Sequence, residues 1–255
     1  MRVLDLFSGI GGFSLGLERA GMRTVGFCEI EPYCRAVLRK HWPDIWIHDD
    51  IKTLTAELIT KHCGPVDAIC GGFPCQDISA AGSMRGIECG KRSGLWSEMF
   101  RLVCEVRPRY VIVENVAALL LRGIRRVLGD LASIGYNSEW QIIPAAAVGA
   151  PHLRERIFVI AYPIGDNGRI RANGTHQNCF AAVEMLLPGR SSMPVDVSDG
   201  IEMEWKRNCS GFWADYTRMD RMGNGIPDRL DRIKALGNSV VPQVVELIGR
   251  AIMEQ

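Results

Sequence analysis

Cys75 stands in the stretch Gly-Gly-Phe-Pro-Cys-Gln-Asp-Ile-Ser, residues 71 to 79, directly after the apolar run 66 to 70. Most cysteines are quiet core residues. A thiol between Pro74 and Gln76, on a loop leaving a strand, lies instead where a nucleophile on the active edge of a sheet would lie. A thiolate there needs basic neighbours or a helix N-terminus to lower its pKa. The following loop supplies Arg85, Lys91 and Arg92, and its glycines 82, 86, 90 and 94 would let it close over a substrate. Glu114 ends the apolar run Tyr-Val-Ile-Val, which places a carboxylic acid on the same sheet edge, able to give or share a proton. Arg154 and Arg156 stand two apart before the apolar run 157 to 161, so a period of two predicts both on one face of a strand. Two aligned guanidinium groups suit a phosphate or a base carbonyl. The plainer readings are a charged strand end meeting water and a solvated edge.

A second constellation lies upstream. Asp-Leu-Phe-Ser-Gly-Ile-Gly-Gly-Phe-Ser-Leu-Gly-Leu-Glu, residues 5 to 18, reads as a strand, a glycine loop and a helix start. Gly9, Gly11 and Gly12 permit positive φ and close approach of a ligand to the backbone, and the helix start offers free N–H groups. Glu29, at the end of the next strand, could hold two ribose hydroxyls, and Asp50, after the third, could accept from an adenine amino group. In open α/β sheets such ligands sit off the carboxyl ends of the strands. The spacing is not Gly-x-Gly-x-x-Gly, and Phe13 fills a bulky position. A nucleoside-bearing cofactor that does not depend on pyrophosphate contact fits best.

These groups must be positioned by the surrounding elements. Strands are predicted over residues 2 to 7, 24 to 30, 45 to 47, 66 to 70 and 110 to 113, and helices over 13 to 20, from Pro32, 55 to 61 and 95 to 106. This rhythm predicts an α/β domain, a parallel sheet with helices on both sides. From about 163 to 230 the chain is rich in Gly, Asn, Asp and Arg with little periodicity, which predicts a small irregular insertion. Helical periodicity returns from Pro242. The formal net charge of +1 gives no global attraction to polyanions, so nucleic acid would have to be met by local basic patches. Nine cysteines without a Cys-x-x-Cys pair, and five histidines off zinc-ligand spacing, predict no metal and a reduced, cytoplasmic setting. Neither a signal peptide nor a membrane span is evident.

The motifs Asp-Leu-Phe-Ser-Gly-Ile-Gly-Gly, Gly-Gly-Phe-Pro-Cys-Gln, Glu-Asn-Val, His-Leu-Arg-Glu-Arg and Gly-Asn-Ser-Val-Val-Pro follow one another in an order that resembles the cytosine-5 DNA methyltransferases. The resemblance covers residues 1 to 162, as a catalytic domain, and 231 to 255, as a segment returning to it. It implies a Rossmann-like, doubly wound, mostly parallel sheet and S-adenosylmethionine as cofactor, with S-adenosylhomocysteine as product. By resemblance Phe7, Gly9 and Gly11 line the cofactor site, Glu29 holds the ribose, Ile30 lies against the adenine and Asp50 meets its amino group. Ile51, Phe73, Leu95, Asn238, Ser239 and Val240 complete it. Cys75 would add to carbon 6 of a flipped cytosine, Glu114 would stabilise the protonated ring nitrogen 3, Arg156 the base carbonyl, and Arg154 a loop or phosphate nearby. Pro74, Gln76, Ser79, Arg85 and Arg92 would face DNA.

The span 163 to 230 lies where members of that family carry a target-recognition region, and it holds Arg169, Arg171, Arg190, Lys206, Arg207, Arg218 and Arg221. It is short, and the family's motif before the final segment has no clear match. The implied partner is double-stranded DNA bound by a monomer, with a cognate restriction endonuclease as a functional companion. An RNA cytosine methyltransferase, a DNA-binding module without catalysis and a nicotinamide oxidoreductase are the rival readings. The glycine spacing and Cys75 count against the last, and the intact Cys75, Glu114, Arg154 and Arg156 against the second.

Overall fold

Among the described residues seven strands form one sheet in the order β3-β2-β1-β4-β5-β7-β6, and the site lies along its carboxyl edge. The computed structural model describes residues 1–74, 94–165, 178–187 and 229–254. β1 (Arg2–Leu6), β2 (Arg23–Cys28), β3 (Trp46–His48), β4 (Ala68–Gly71) and β5 (Tyr110–Val116) run parallel. β7 (Arg156–Pro163) is antiparallel to β5 and to the edge strand β6 (Tyr136–Ile143). This is the mostly parallel, Rossmann-like sheet expected, with one reversal after β5.

β1 shows how sequence becomes a two-sided sheet. Leu4 and Leu6 point to one layer with Ile69, Val111 and Val113, while Val3 points to the other with Ala68, Cys70 and Ile112. Both faces are apolar because both are covered, as parallel sheets require. The first layer takes α3 (Ala56–Cys63), α4 (Leu95–Val106) and α6 (Ile124–Ser133), through Ile59, Trp96, Met99, Val127 and Leu131. The second takes α1 (Gly12–Arg19), α7 (Cys179–Leu186) and α9 (Pro242–Met253). α2 (Pro32–His41) carries Pro32 in its first turn, and Trp42 beyond it meets Phe27 edge-on at 5.4 Å. α3 starts on Thr55, whose hydroxyl accepts from Leu58 N–H, and stops at Gly64 with φ 67°. The short α5 (Leu119–Arg122) follows β5, and α8 (Arg229–Asn238) precedes α9.

Three differences from the expected elements have physical reasons. β2 ends at Cys28, so Glu29 is the first residue beyond the strand and its carboxylate turns back to the backbone. α7 lies inside the span predicted as irregular. Its eight residues are too few for a period to register, yet Asn178 caps it and Cys179, Phe180 and Val183 are buried against the second layer. β6 alternates poorly because it is an edge strand, and its Glu139 is held by the Tyr162 hydroxyl and the Cys179 N–H.

Candidate active site

A cavity of about 660 Å³ opens where β1, β2, β4 and β5 end. Its nucleoside-sized end is built on the first strand exit. Phe7, directly after β1, is held at φ 52°, a conformation that costs a non-glycine residue about 1–3 kcal/mol and persists where surroundings impose it. Ser8 ties that turn down, donating to Asp5 O at 2.6 Å. Gly9 N–H then donates to Glu29 Oε2 at 2.6 Å, and Glu31 N–H donates to Glu29 Oε1 at 2.8 Å. Burial nonetheless pushes the Glu29 carboxyl above its ordinary range, with these two amides pulling the other way. Each Glu29 oxygen keeps a lone pair for a further donor. Ile30 is 65% exposed and borders the cavity, an apolar surface that a ligand's flat face could cover. Asp50 Oδ1 accepts from Lys52 N–H at 3.0 Å, and its carboxylate borders the cavity with Ile51.

The other end is built on β4 and β5. Glu114 is buried, and its carboxylate receives the Arg156 guanidinium at 3.0 Å. Val116 pairs with Arg156 across β5 and β7, so Glu114 and Arg156 are diagonal neighbours on one face. Burial pushes Glu114 up to about 7, and the pull of Arg156 and Arg154 does not cancel it. The close approach depends on Gly72, where a Cβ would stand 2.7 Å from Glu114 Oε2. Asn115 Nδ2 donates to Phe73 O at 3.1 Å and so fixes the exit of β4 against β5. Phe73 is buried against Trp96, whose ring centroid is 5.5 Å away. Phe73, Pro74 and Leu95 line the cavity, and the chain leaves Pro74 toward residue 75.

Most of the expected residues are brought together here: Phe7, Gly9, Glu29, Ile30, Asp50, Ile51, Phe73, Pro74, Leu95, Glu114, Arg156 and Asn238 all border the cavity. Gly11, Ser239 and Val240 do not. Gly11 faces the Trp42 ring, and Ser239 and Val240 pack over Gly12, one layer behind the lining. Arg154 departs from the period-two expectation. It precedes β7 at φ 36°, outside the strand, and its guanidinium donates to Gly237 O at 2.8 Å and Ser239 O at 2.6 Å. Cys75, Gln76, Ser79, Arg85, Lys91 and Arg92 lie outside the described residues, as do Arg169, Arg171, Arg190, Lys206, Arg207, Arg218 and Arg221.

Lys234, also on the lining, escaped the sequence reading. It pairs with Glu31 at 2.7 Å across a separation of 203 residues, and no local pattern marks such a pair. Among the described cysteines, burial pushes the Cys28 thiol up to about 12, Cys34 and Cys63 up to about 11, and Cys70 and Cys104 upward as well. None of these five offers a thiolate at neutral pH. Among the described residues no group of three or more His, Cys, Asp and Glu could hold a metal ion, and no helix is long and apolar enough to cross a membrane.

Comparison with known proteins identifies the family and the fold. Type II methyltransferase M2.BsuMI of Bacillus subtilis is 34% identical over 223 residues, covering 84% of this chain and 54% of that protein. The chain spans about half the length of the curated relatives it matches. Among solved structures, the methyltransferase EhMeth of Entamoeba histolytica aligns with a TM-score of 0.66 at 14% identity, covering 100% of this chain and 98% of that one. A protein described as a DNA modification methyltransferase encoded within an E. coli prophage aligns with a TM-score of 0.63 at 21% identity, covering 100% and 99%. At such identities these two establish the fold alone. The model of the C-5 cytosine-specific DNA methylases matches residues 1–183, well over half of the chain, and the chain belongs to that family.

Proposed function

We propose that the protein is a DNA (cytosine-5-)-methyltransferase that modifies a flipped cytosine within a specific duplex sequence. The observation that carries this reading is Glu114, a buried carboxyl raised to about 7 and paired with Arg156 at one end of a cavity whose other end offers Glu29 and Asp50. The residues present fit S-adenosylmethionine. Glu29, pinned by two amides, would accept from the ribose hydroxyls, Ile30 would cover the adenine, and Asp50 would take its amino group. When bound, the cofactor supplies an electrophilic methyl group for carbon 5 of the base and leaves as S-adenosylhomocysteine.

The protein's own groups then solve the problem that carbon 5 of cytosine is a poor nucleophile. The Cys75 thiolate adds to carbon 6, forming a carbon–sulfur bond as Glu114 gives its proton to ring nitrogen 3. A carboxyl with a pKa near 7 holds that proton at neutral pH and can take it back. Arg156 stays beside Glu114 and presents its remaining N–H groups to the base carbonyl. After methylation, loss of the carbon 5 proton to a base expels Cys75 and restores the ring. Cytosine inside a stacked duplex cannot reach these groups, so the base must be extruded. The Type II relatives support a site-specific modification enzyme, and the short recognition region would set its sequence.

The test is to express the protein in a host lacking cytosine methylation and map 5-methylcytosine across the host DNA. Methylation at one short sequence, abolished by Cys75→Ser, is expected. Unmodified host DNA, with purified protein that also fails to label duplex DNA from radioactive cofactor, overturns the reading.

A further inference from the structure

Arg154 is half-buried, and desolvation pulls its pKa below the ordinary arginine range, with neighbouring Arg156 acting in the same direction. It adopts φ 36°, a backbone conformation that a non-glycine side chain takes up only where contacts impose it. Its guanidinium donates to the two carbonyls of Gly237 and Ser239, at the C-terminal end of α8 and in its link to α9. A cation at a helix C-terminus meets both unpaired carbonyls and the negative end of the helix dipole. The bonds therefore do more than satisfy Arg154. They attach the segment before β7 to the segment after α8, across 83 and 85 residues of chain.

Both ends of this link belong to working parts. On one side, Lys234, Ala235, Gly237 and Asn238 form a wall of the cavity, and Lys234 reaches Glu31, whose N–H holds Glu29. Ser239 and Val240 press on Gly12, directly after the glycine turn. On the other side, two residues from Arg154, Arg156 holds Glu114.

We propose that Arg154 is a positioning residue that couples occupancy of the cofactor end of the cavity to the arrangement of Arg156 and Glu114 at the base end. A ligand on Glu29 sets the position of the α8 wall. Arg154 Nη2, donating to two carbonyls of that wall at once, carries the position to the start of β7. Such coupling is reciprocal, so S-adenosylhomocysteine must raise duplex affinity by the factor by which duplex raises S-adenosylhomocysteine affinity. The proposal rests on the function proposed above for the identity of the two ligands.

The experiment measures S-adenosylhomocysteine binding to the full chain by calorimetry, with and without a duplex oligonucleotide carrying the mapped site. In the wild-type protein the duplex is expected to tighten binding about 5-fold to 150-fold, the usual range for coupled sites. In Arg154→Met that factor should fall to near one, while binding of S-adenosylhomocysteine alone changes less than about 3-fold, below the range for coupled sites. Arg154→Lys keeps the charge and one nitrogen able to donate twice but not the reach of the guanidinium, and should give an intermediate factor. A merely structural role would weaken both measurements together and leave their ratio intact. Should Arg154→Met fail to fold by thermal melting, Arg154→Lys decides. An unchanged coupling factor in a folded variant, or no coupling in a wild-type enzyme that methylates the duplex, overturns the inference and leaves the function standing. A wild-type protein that neither binds nor methylates duplex overturns the function itself.

Discussion

Burial holds a proton on Glu114 up to about pH 7, and this has a consequence for rate and another for stability. If Glu114 donates to the base, kcat/KM should fall as pH rises through about 7, and Glu114→Gln should remove that limb. The variant should also lose roughly 10²–10⁴ in rate, the usual range for a general acid. A pH–rate profile on a defined duplex checks both. For stability, a carboxyl raised from 4.5 to about 7 helps the fold most below pH 4.5 and loses that help as pH rises toward 7. The total is about 3 kcal/mol. Denaturant melts of the ligand-free protein should therefore weaken between pH 5 and about 7.5, and Glu114→Gln should flatten the trend by about 1.4 kcal/mol per pH unit at mid-window. Glu29→Gln keeps the shape but removes the charge that its two amides orient. Calorimetry should find S-adenosylhomocysteine binding weakened roughly 10-fold to 150-fold, as expected for hydrogen bonds to a charged group. Unchanged affinity would remove Glu29 from the cofactor site.

At the scale of elements, α1 and α9 pack so closely that the site's glycine turn inherits its position from the end of the chain. A Cβ at Gly16 would collide with the Pro242 carbonyl and lie 2.7 Å from Val245 Cβ. Backbone on one side and a β-branched side chain on the other leave little room to relax. Gly16→Val should cost about 1–3 kcal/mol, the usual range for overpacking, as a lower midpoint in urea. The same change on exposed Leu15 should be nearly neutral. The antiparallel β7 matters in a different way. By returning beside β5 it places Arg156 opposite Val116 and hence diagonal to Glu114, where a further parallel strand would run the other way past Glu114.

Over the whole molecule, the sheet is built by the first part of the chain and covered by its last helices. α9 buries Val244, Val245, Ile248, Ala251 and Ile252 in the layer over β1, and α8 supplies the cavity wall. Removing residues 229 to 255 should expose that layer and eliminate cofactor binding together. Co-expressing that segment as a separate peptide should restore part of the soluble yield.

The legible part of the fold was local. The bounds of α4 follow its apolar period, Glu29 and Asp50 follow from acids placed just after strands, and the Pro32 helix start follows from a fixed φ. Cys75 and the arginine pair were marked by their motifs, but the period of two assumed a strand that begins only at Arg156 and so did not foresee the bonds of Arg154 to the end of α8. β6 and α7 were not visible, because an edge strand need not alternate and an eight-residue helix shows too little period.

The amino-acid sequence by itself determined the alternating elements, the glycine turn and the acids placed at the strand ends. These depend on neighbours within a few positions, where backbone and side-chain preferences act directly. Only the tertiary structure decided that Arg156 holds Glu114, that Gly72 clears space for it, that Lys234 reaches Glu31, and that Arg154 grips the end of α8. Each of those depends on the distance and burial between segments far apart in the chain, and both are set by packing.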